Sequence, residues 1–168
     1  MLKKVQRAAV ATAVLAFSPT SIWASPTVEQ ALALKPIQVD VDYDIPTAES
    51  AAKCKIEAAR DLGSGWIVRE ETGQMLRRFL DTNNDKKLDQ WSYFKDGIEV
   101  YRDVDANFNG KADQYRWLGT SGTRWGLDKN EDGVIDSWKV ISPEETTAEV
   151  VAALREGDAG RFTRLLLT

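Results

Sequence analysis

The chain has 168 residues, 43% of them hydrophobic, a formal charge of -4 and no histidine. That length suits one domain with a real core and some appendages, and is short for two full domains. Without histidine, Ser-His-Asp and Cys-His catalysis, His-ligated zinc and the commonest general base all drop out. The acidic balance argues against nucleic acid or anionic lipid as a partner.

The first 24 residues, MLKKVQRAAVATAVLAFSPTSIWA, place Lys3, Lys4 and Arg7 ahead of a short apolar run, Ala8 to Phe17, and a cleavage-like Ile22-Trp23-Ala24. This reads as a secretory signal peptide over residues 1–24. The apolar run is about half the ~20 residues that cross a bilayer, and none later is longer, so no membrane span is expected in the mature chain. Its removal takes away three cations and moves the formal charge to about -7. The product is expected to be exported: periplasmic, envelope-associated or secreted.

Residues 25–53 follow as a helical turn or two from Thr27 (TVEQALALKP) and a linker from Gln38 to Ala52, interrupted by Pro46. Cys54, the only cysteine, excludes an intrachain disulfide and reads as a buried or inert thiol.

Residues 54–141 form a repeat. SGWIVRE from Ser64, DQWSYF from Asp89, DQYRWL from Asp113 and DSWKVI from Asp136 bring Trp66, Trp91, Tyr115 and Trp138 round about every 24 residues. The first three of these strands run into glycine turns (EETGQ, KDG, GTSG) and a second strand (MLRRFLD, IEVYRDVD, TRWGLD). Alternation with period two supports hairpins: Trp91 and Tyr93 face one way, and Ile98, Val100 and Arg102 oppose Glu99, Tyr101 and Asp103. The expected fold class is mainly β, an antiparallel meander of about seven strands between Trp66 and Ile141, with room for an earlier strand around 54–60.

Residues 142–168 are expected to be helical. Ser142 caps, Pro143 takes the first position, Glu145 completes a capping box, and Gly157 stops the helix; Val150, Val151 and Leu154 would form its apolar side. A second short helix, Ala159 to Leu167, follows. The capped helix is the expected lid over one face of the sheet. The closing RLLLT either folds back on the sheet or leads into further sequence.

Three links share one spacing: DTNNDKKLD from Asp81, DANFNGKAD from Asp105 and DKNEDGVID from Asp128. Positions 1, 3, 5 and 9 carry oxygen side chains, which makes the candidate metal ligands Asp81, Asn83, Asp85 and Asp89; Asp105, Asn107, Asn109 and Asp113; and Asp128, Asn130, Asp132 and Asp136. Position 7 (Lys87, Lys111, Val134) would add a carbonyl. An oxygen-only inventory suits calcium and argues against zinc, copper and iron. The other reading is a metal-free turn, because Asp and Asn side chains bond nearby backbone and tolerate left-handed geometry. Against that reading, a turn gains nothing from crowding three repelling carboxylates.

The aromatics Trp66, Trp91, Tyr115 and Trp138 are expected to stack on one face as core; an exposed carbohydrate or peptide platform is the other reading. A carboxylate hydrolase using Glu70 and Glu71, or Glu99, is a third possibility that the spacing does not favour, because two acids would have to face each other across a cleft.

The nine-residue links resemble the calcium loops of EF-hand and dockerin-type proteins. They lack the bidentate acid of position 12, where Ser92, Arg116 and Lys139 stand instead. More broadly, DQWSYFKDGIEVYRDVDANFNGKADQYRW and GLDKNEDGVIDSWK resemble the N-terminal segment of a family of large, uncharacterised bacterial secreted proteins with Asp/Asn-loop hairpin repeats. The resemblance covers about Thr27 to Thr168. It implies export and further sequence downstream, and it implies no activity. The expectation is an exported, non-enzymatic β-repeat module with weak calcium binding and a protein or polysaccharide partner in the envelope.

Overall fold

The computed structural model describes residues 25–59, 64–119 and 122–166. The stretch read as a signal peptide lies outside the described residues. Eight strands run in chain order as one antiparallel meander: β1 (Lys55–Ala59), β2 (Ser64–Arg69), β3 (Met75–Asp81), β4 (Gln90–Lys95), β5 (Ile98–Val104), β6 (Gln114–Gly119), β7 (Gly122–Leu127) and β8 (Ser137–Val140). Helices α1 (Val28–Ala33) and α2 (Ala48–Ala51) precede the sheet, and α3 (Pro143–Glu156) and α4 (Ala159–Leu166) follow it.

Turn chemistry sets this order. Gly73 and Gly97 take φ of +89° and +75° in the tight turns β2–β3 and β4–β5, backbone that glycine adopts without a Cβ clash. The Asp/Asn links join β3 to β4, β5 to β6 and β7 to β8. Because a meander alternates its connections between ends, all three lie along one end of the sheet.

Register sorts the side chains into rows. One row on the covered face reads Trp66, Phe79, Trp91, Asp103, Tyr115, Gly126, Trp138. The four repeat aromatics therefore share a face, but each is separated from the next by the residue of an intervening strand. The row beside it reads Val68, Arg77, Tyr93, Tyr101, Trp117, Arg124. Here the rings do meet, with centroids 5.9 Å apart for Tyr93 and Tyr101 and 5.0 Å for Tyr101 and Trp117, the latter edge to face.

Two apolar clusters result. One gathers Tyr93, Tyr101, Ala112, Tyr115, Ile135 and Trp138; the other gathers Ala31, Cys54, Val68, Leu76 and Phe79. Trp91 packs against both. Cys54 is buried, its Sγ donates to Ser50 O at 3.4 Å, and burial raises its pKa.

The covered face is closed from both ends of the chain. Thr27 and Gln30 cap α1 reciprocally, and Ala31 enters the second cluster. The stretch read as a linker lies on the sheet: Val41 and Tyr43 pack against the first cluster, and the Asp44 N–H donates to Phe94 O at 2.9 Å.

At the other end, Ser142 Oγ accepts the Glu145 N–H at 3.2 Å, Pro143 opens α3, and Gly157 closes it in left-handed backbone. Its buried residues, Glu149 and Ala153, differ from the expected apolar side; Val151 and Leu154 are exposed. The reason is electrostatic, since Glu149 receives Arg124 from β7 at 2.9 Å and Arg161 from α4 at 2.7 Å. Leu165 of α4 reaches the first cluster.

Candidate functional site

Each Asp/Asn loop is built on one hydrogen-bond plan. The position-1 carboxylates of Asp81, Asp105 and Asp128 are almost fully buried, each accepting the N–H groups of positions 5 and 6. For Asp81 these come from Asp85 and Lys86 at 3.1 and 3.0 Å, for Asp105 from Asn109 and Gly110 at 3.2 and 2.6 Å, and for Asp128 from Asp132 and Gly133 at 3.2 and 2.8 Å. The position-3 amide oxygens of Asn83, Asn107 and Asn130 accept the position-5 N–H. The position-5 side chains of Asp85, Asn109 and Asp132 accept the N–H of position 7. At position 9, Asp89, Asp113 and Asp136 reach back to the N–H of position 2.

This plan folds the backbone sharply. Positions 4 and 6 are left-handed in every loop: Asn84 and Lys86, Phe108 and Gly110, Glu131 and Gly133 have φ between +59° and +95°. Glycine fits position 6 for that reason, and loop one uses Lys86 there.

The loops are also joined in series. Asp105 N–H donates to Asp89 O at 2.8 Å, and Asp128 N–H donates to Asp113 O at 2.9 Å, so each loop hangs from the end of the one before. Glu131 of the third loop accepts from Asn107 and Asn109 Nδ2 of the second at 2.8 and 2.5 Å. Those two donors, followed by the nearby Lys111, outweigh desolvation and hold the Glu131 carboxyl below its ordinary pKa.

For a metal, the donor chemistry and the placement differ. All twelve side chains offer oxygen to a hard cation, and the bonded Asn and carboxylate oxygens keep a second lone pair. Yet among the described residues no three His, Cys, Asp or Glu side chains lie together closely enough to hold a metal ion. Burial raises the Asp89 pKa, with the neighbouring Asp81 charge a lesser contribution in the same direction. The position-12 residues do not complete a shell. Ser92 is buried within the sheet, and the charged groups of Arg116 and Lys139 lie 4.0 and 3.9 Å from the Trp125 ring centre.

The opposite face of the sheet carries charge. Its row reads Ile67, Arg78, Ser92, Arg102, Arg116, Trp125. Glu99 sits between two of these guanidiniums, 2.7 Å from Arg78 and 2.8 Å from Arg102. That corrects the strict alternation expected for IEVYRDV. A register shift between Tyr93 and Phe94 leaves Val100 as an extra residue on β5 and puts Glu99 on the face of Arg102, opposite Tyr101 and Asp103.

Two buried charges of the covered face were not singled out from sequence. Arg77 is 1% exposed, donates to Leu76 O at 2.7 Å, and lies 4.5 and 5.4 Å from the Tyr43 and Tyr93 ring centres. Burial lowers its pKa. Asp103 is 2% exposed and accepts from Tyr101 Oη at 2.5 Å and from the Ile37 N–H at 3.2 Å. Burial pushes its pKa up to about 6, against the pull of those two donors. The sequence signal was limited to spacing: two residues beyond Tyr101 on a strand, Asp103 shares its face, and the register shows that face to be the covered one. Asp103 lines a cleft of about 420 Å³ together with Trp91, Tyr93, Tyr115, Ile37 and Glu131.

No protein-family model, curated protein or solved structure matches this chain. No helix among the described residues is long and apolar enough to cross a membrane.

Proposed function

We propose that the chain is an exported, non-enzymatic β-repeat module whose three Asp/Asn loops bind calcium weakly and stiffen one end of the sheet for a protein or polysaccharide partner in the envelope. The observation that carries this reading is the threefold repetition of one loop plan: a buried aspartate at position 1, amide and carboxylate oxygens at 3 and 5 bonded to the loop backbone, and a position-9 acid folded back. Export rests on the leader sequence and on the family resemblance.

With four side-chain oxygens and one carbonyl per loop, calcium's six to eight ligands would require water, and the carboxylates must swing inward from their backbone partners. Both favour weak binding, with dissociation constants of roughly 0.1 to 1 mM. At about 1 mM calcium each site then adds ~0.4 to 1.4 kcal/mol to folding. Because the loops hang in series, occupancy of one steadies the next.

Thermal melting of the mature chain with and without 2 mM calcium tests the reading. The melting temperature is expected to rise with calcium, and to rise less in the double substitution Asp128→Asn/Asp132→Asn. Equal melting in calcium and in chelator favours the second reading, a metal-free protein- or carbohydrate-binding sheet. The absence of a three-acid cluster among the described residues supports that alternative.

A further inference from the structure

The middle row of the face opposite the core carries Arg78 on β3, Arg102 on β5 and Arg116 on β6. Arg102 and Arg116 stand directly across from each other on neighbouring strands, a like-charge pairing that destabilises a sheet. Lys139 of β8 adds a fourth cation, since it and Arg116 lie 3.9 and 4.0 Å from the same Trp125 ring centre. Among the described residues Glu99 alone forms ion pairs with these cations, and Arg78 and Arg102 share it. Arg116 donates from Nη2 to the neutral Gln114 Oε1 at 2.7 Å. Burial first, and then the Arg102 charge, lower its pKa against the weaker pull of Asp113.

These side chains bond only among themselves and their strand neighbours. Their partners are Glu99, Gln114, Phe94 and Trp125, and among the described residues no helix and no part of 37–44 bonds to them. Lys139 is exposed, and the Arg102 side chain is 23% exposed. Nη1 of Arg102 and of Arg116 has no hydrogen-bond partner and is not enclosed, the one atom of Arg116 both buried and unbonded being Nε. The guanidinium ends therefore present free donors to solvent.

We propose that this face binds an acidic polysaccharide, a glycan with carboxylates on its sugar units, held through Arg102, Arg116 and Lys139. Neighbouring strands lie ~4.8 Å apart, so the forks of Arg102 and Arg116 converge on one carboxylate. Gln90 and Gln114 stand beside them in the next row, and their amides supply donors and acceptors for sugar hydroxyls. A protein partner would favour an apolar, desolvated centre. Here the centre is charged, and Ile67 and Trp125 stand at the ends of the row. The net negative charge of the chain does not oppose such a ligand, because the loop acids gather at one end of the sheet while these cations share a face, and a ligand meets the local potential. The inference rests on the reading of an exported, partner-binding module, and it does not require calcium in the loops.

Polygalacturonate, neutral dextran and poly-L-glutamate, titrated separately into the mature chain at low salt and in EDTA, and followed by calorimetry and tryptophan fluorescence, test it. EDTA keeps calcium out of both the loops and the glycan, so this result and the calcium-dependent melting fail independently. Polygalacturonate is expected to bind more tightly than poly-L-glutamate, with dextran not binding. Arg102→Gln/Arg116→Gln should weaken polygalacturonate by at least ~10-fold, while Lys53→Gln/Lys55→Gln, which removes the same charge beside β1, should bind like the parent. No polygalacturonate binding, dextran or poly-L-glutamate binding as tightly, or equal loss in the two double variants would each overturn the proposal. Should Arg102→Gln/Arg116→Gln fail to fold, the three polymers on the unmodified chain decide it.

Discussion

Asp103 makes folding depend on pH in a direction opposite to most carboxylates. Its folded pKa of about 6 stands above the unfolded value near 3.8. The native state therefore holds the proton more firmly, and between pH 3.8 and 6 stability falls as pH rises. Below that window the group imposes no penalty; above it the full penalty applies, about 3 kcal/mol for a shift of this size. Replacement by asparagine keeps partners for Tyr101 Oη and the Ile37 N–H, because the phenol can rotate to accept from the amide. Urea unfolding of the parent and of Asp103→Asn at pH 7 and pH 4 isolates the effect, since the loop acids titrate alike in both. The asparagine variant should gain on the parent by ~2 to 3 kcal/mol at pH 7 relative to pH 4. Parallel pH dependence in the two proteins would show that Asp103 is not buried as a charge. A period-two pattern shows that Tyr101 and Asp103 share a face; it does not show that this face is the core, so the residue's burden was invisible before the register was known.

At the scale of the element, hairpins and loops were legible because local chemistry dictates them. The glycine turns, the alternation in QWSYF and the Ser142-Pro143 start of α3 all act within a few residues of themselves. What depended on partners was not legible. The β5 bulge moved Glu99 to the face of Arg78 and Arg102, and α3 docks through Glu149 because Arg124 and Arg161 await it. The loop side chains fall between these cases: their spacing was plain in the sequence, while their bonds to the loop backbone emerged only with the structure. That bonding makes position 6 a test of the shared plan. A Cβ added to Gly110 would meet nothing within 4 Å, and its φ is +95°, so Gly110→Ala is disfavoured by conformation alone, by about 1 kcal/mol. Lys86→Gly relieves the same strain in the first loop, partly offset by added freedom in the unfolded chain, for a net gain of up to ~1 kcal/mol. Opposite shifts in denaturant midpoint are expected from the two substitutions. A gain from Gly110→Ala or a clear loss from Lys86→Gly would mean that the loops do not share one backbone.

For the whole molecule, the deciding contact is between the sheet and a segment whose sequence looks like a connection. Residues 37–44 are rich in acids and carry no long apolar run, yet they fasten to the sheet at intervals. The Ile37 N–H reaches Asp103, Gln38 Nε2 reaches Gly133 O at 2.8 Å, and Trp117 Nε1 reaches Asp40 O at 3.4 Å. Asp44 Oδ2 accepts from Gln74 Nε2 at 3.2 Å and from the Asp96 N–H at 2.7 Å. Among these polar ties Tyr43 supplies the packing. Its ring meets Tyr93 edge to face at 5.4 Å and lies 4.5 Å from the Arg77 guanidinium. An eight-stranded sheet with one apolar face needs such a cover, and here the cover also shields a buried cation that has no carboxylate partner in the ion pairs of the described residues. Tyr43→Ala removes the ring from both neighbours and opens Arg77 to solvent, so part of the packing loss is returned as hydration of the guanidinium; the net destabilisation should be ~2 to 3 kcal/mol. Tyr43→Phe retains the ring and should change stability by less than ~1 kcal/mol. Hydrogen exchange gives the sharper reading. In the alanine variant the Ile37 and Asp44 amides should lose protection together while the amides of β3 and β4 keep theirs, because the strap then opens as one unit without unfolding the sheet. If those two amides exchange no faster in Tyr43→Ala than in the parent, the polar ties alone hold the strap, and the aromatic contact is incidental to closure.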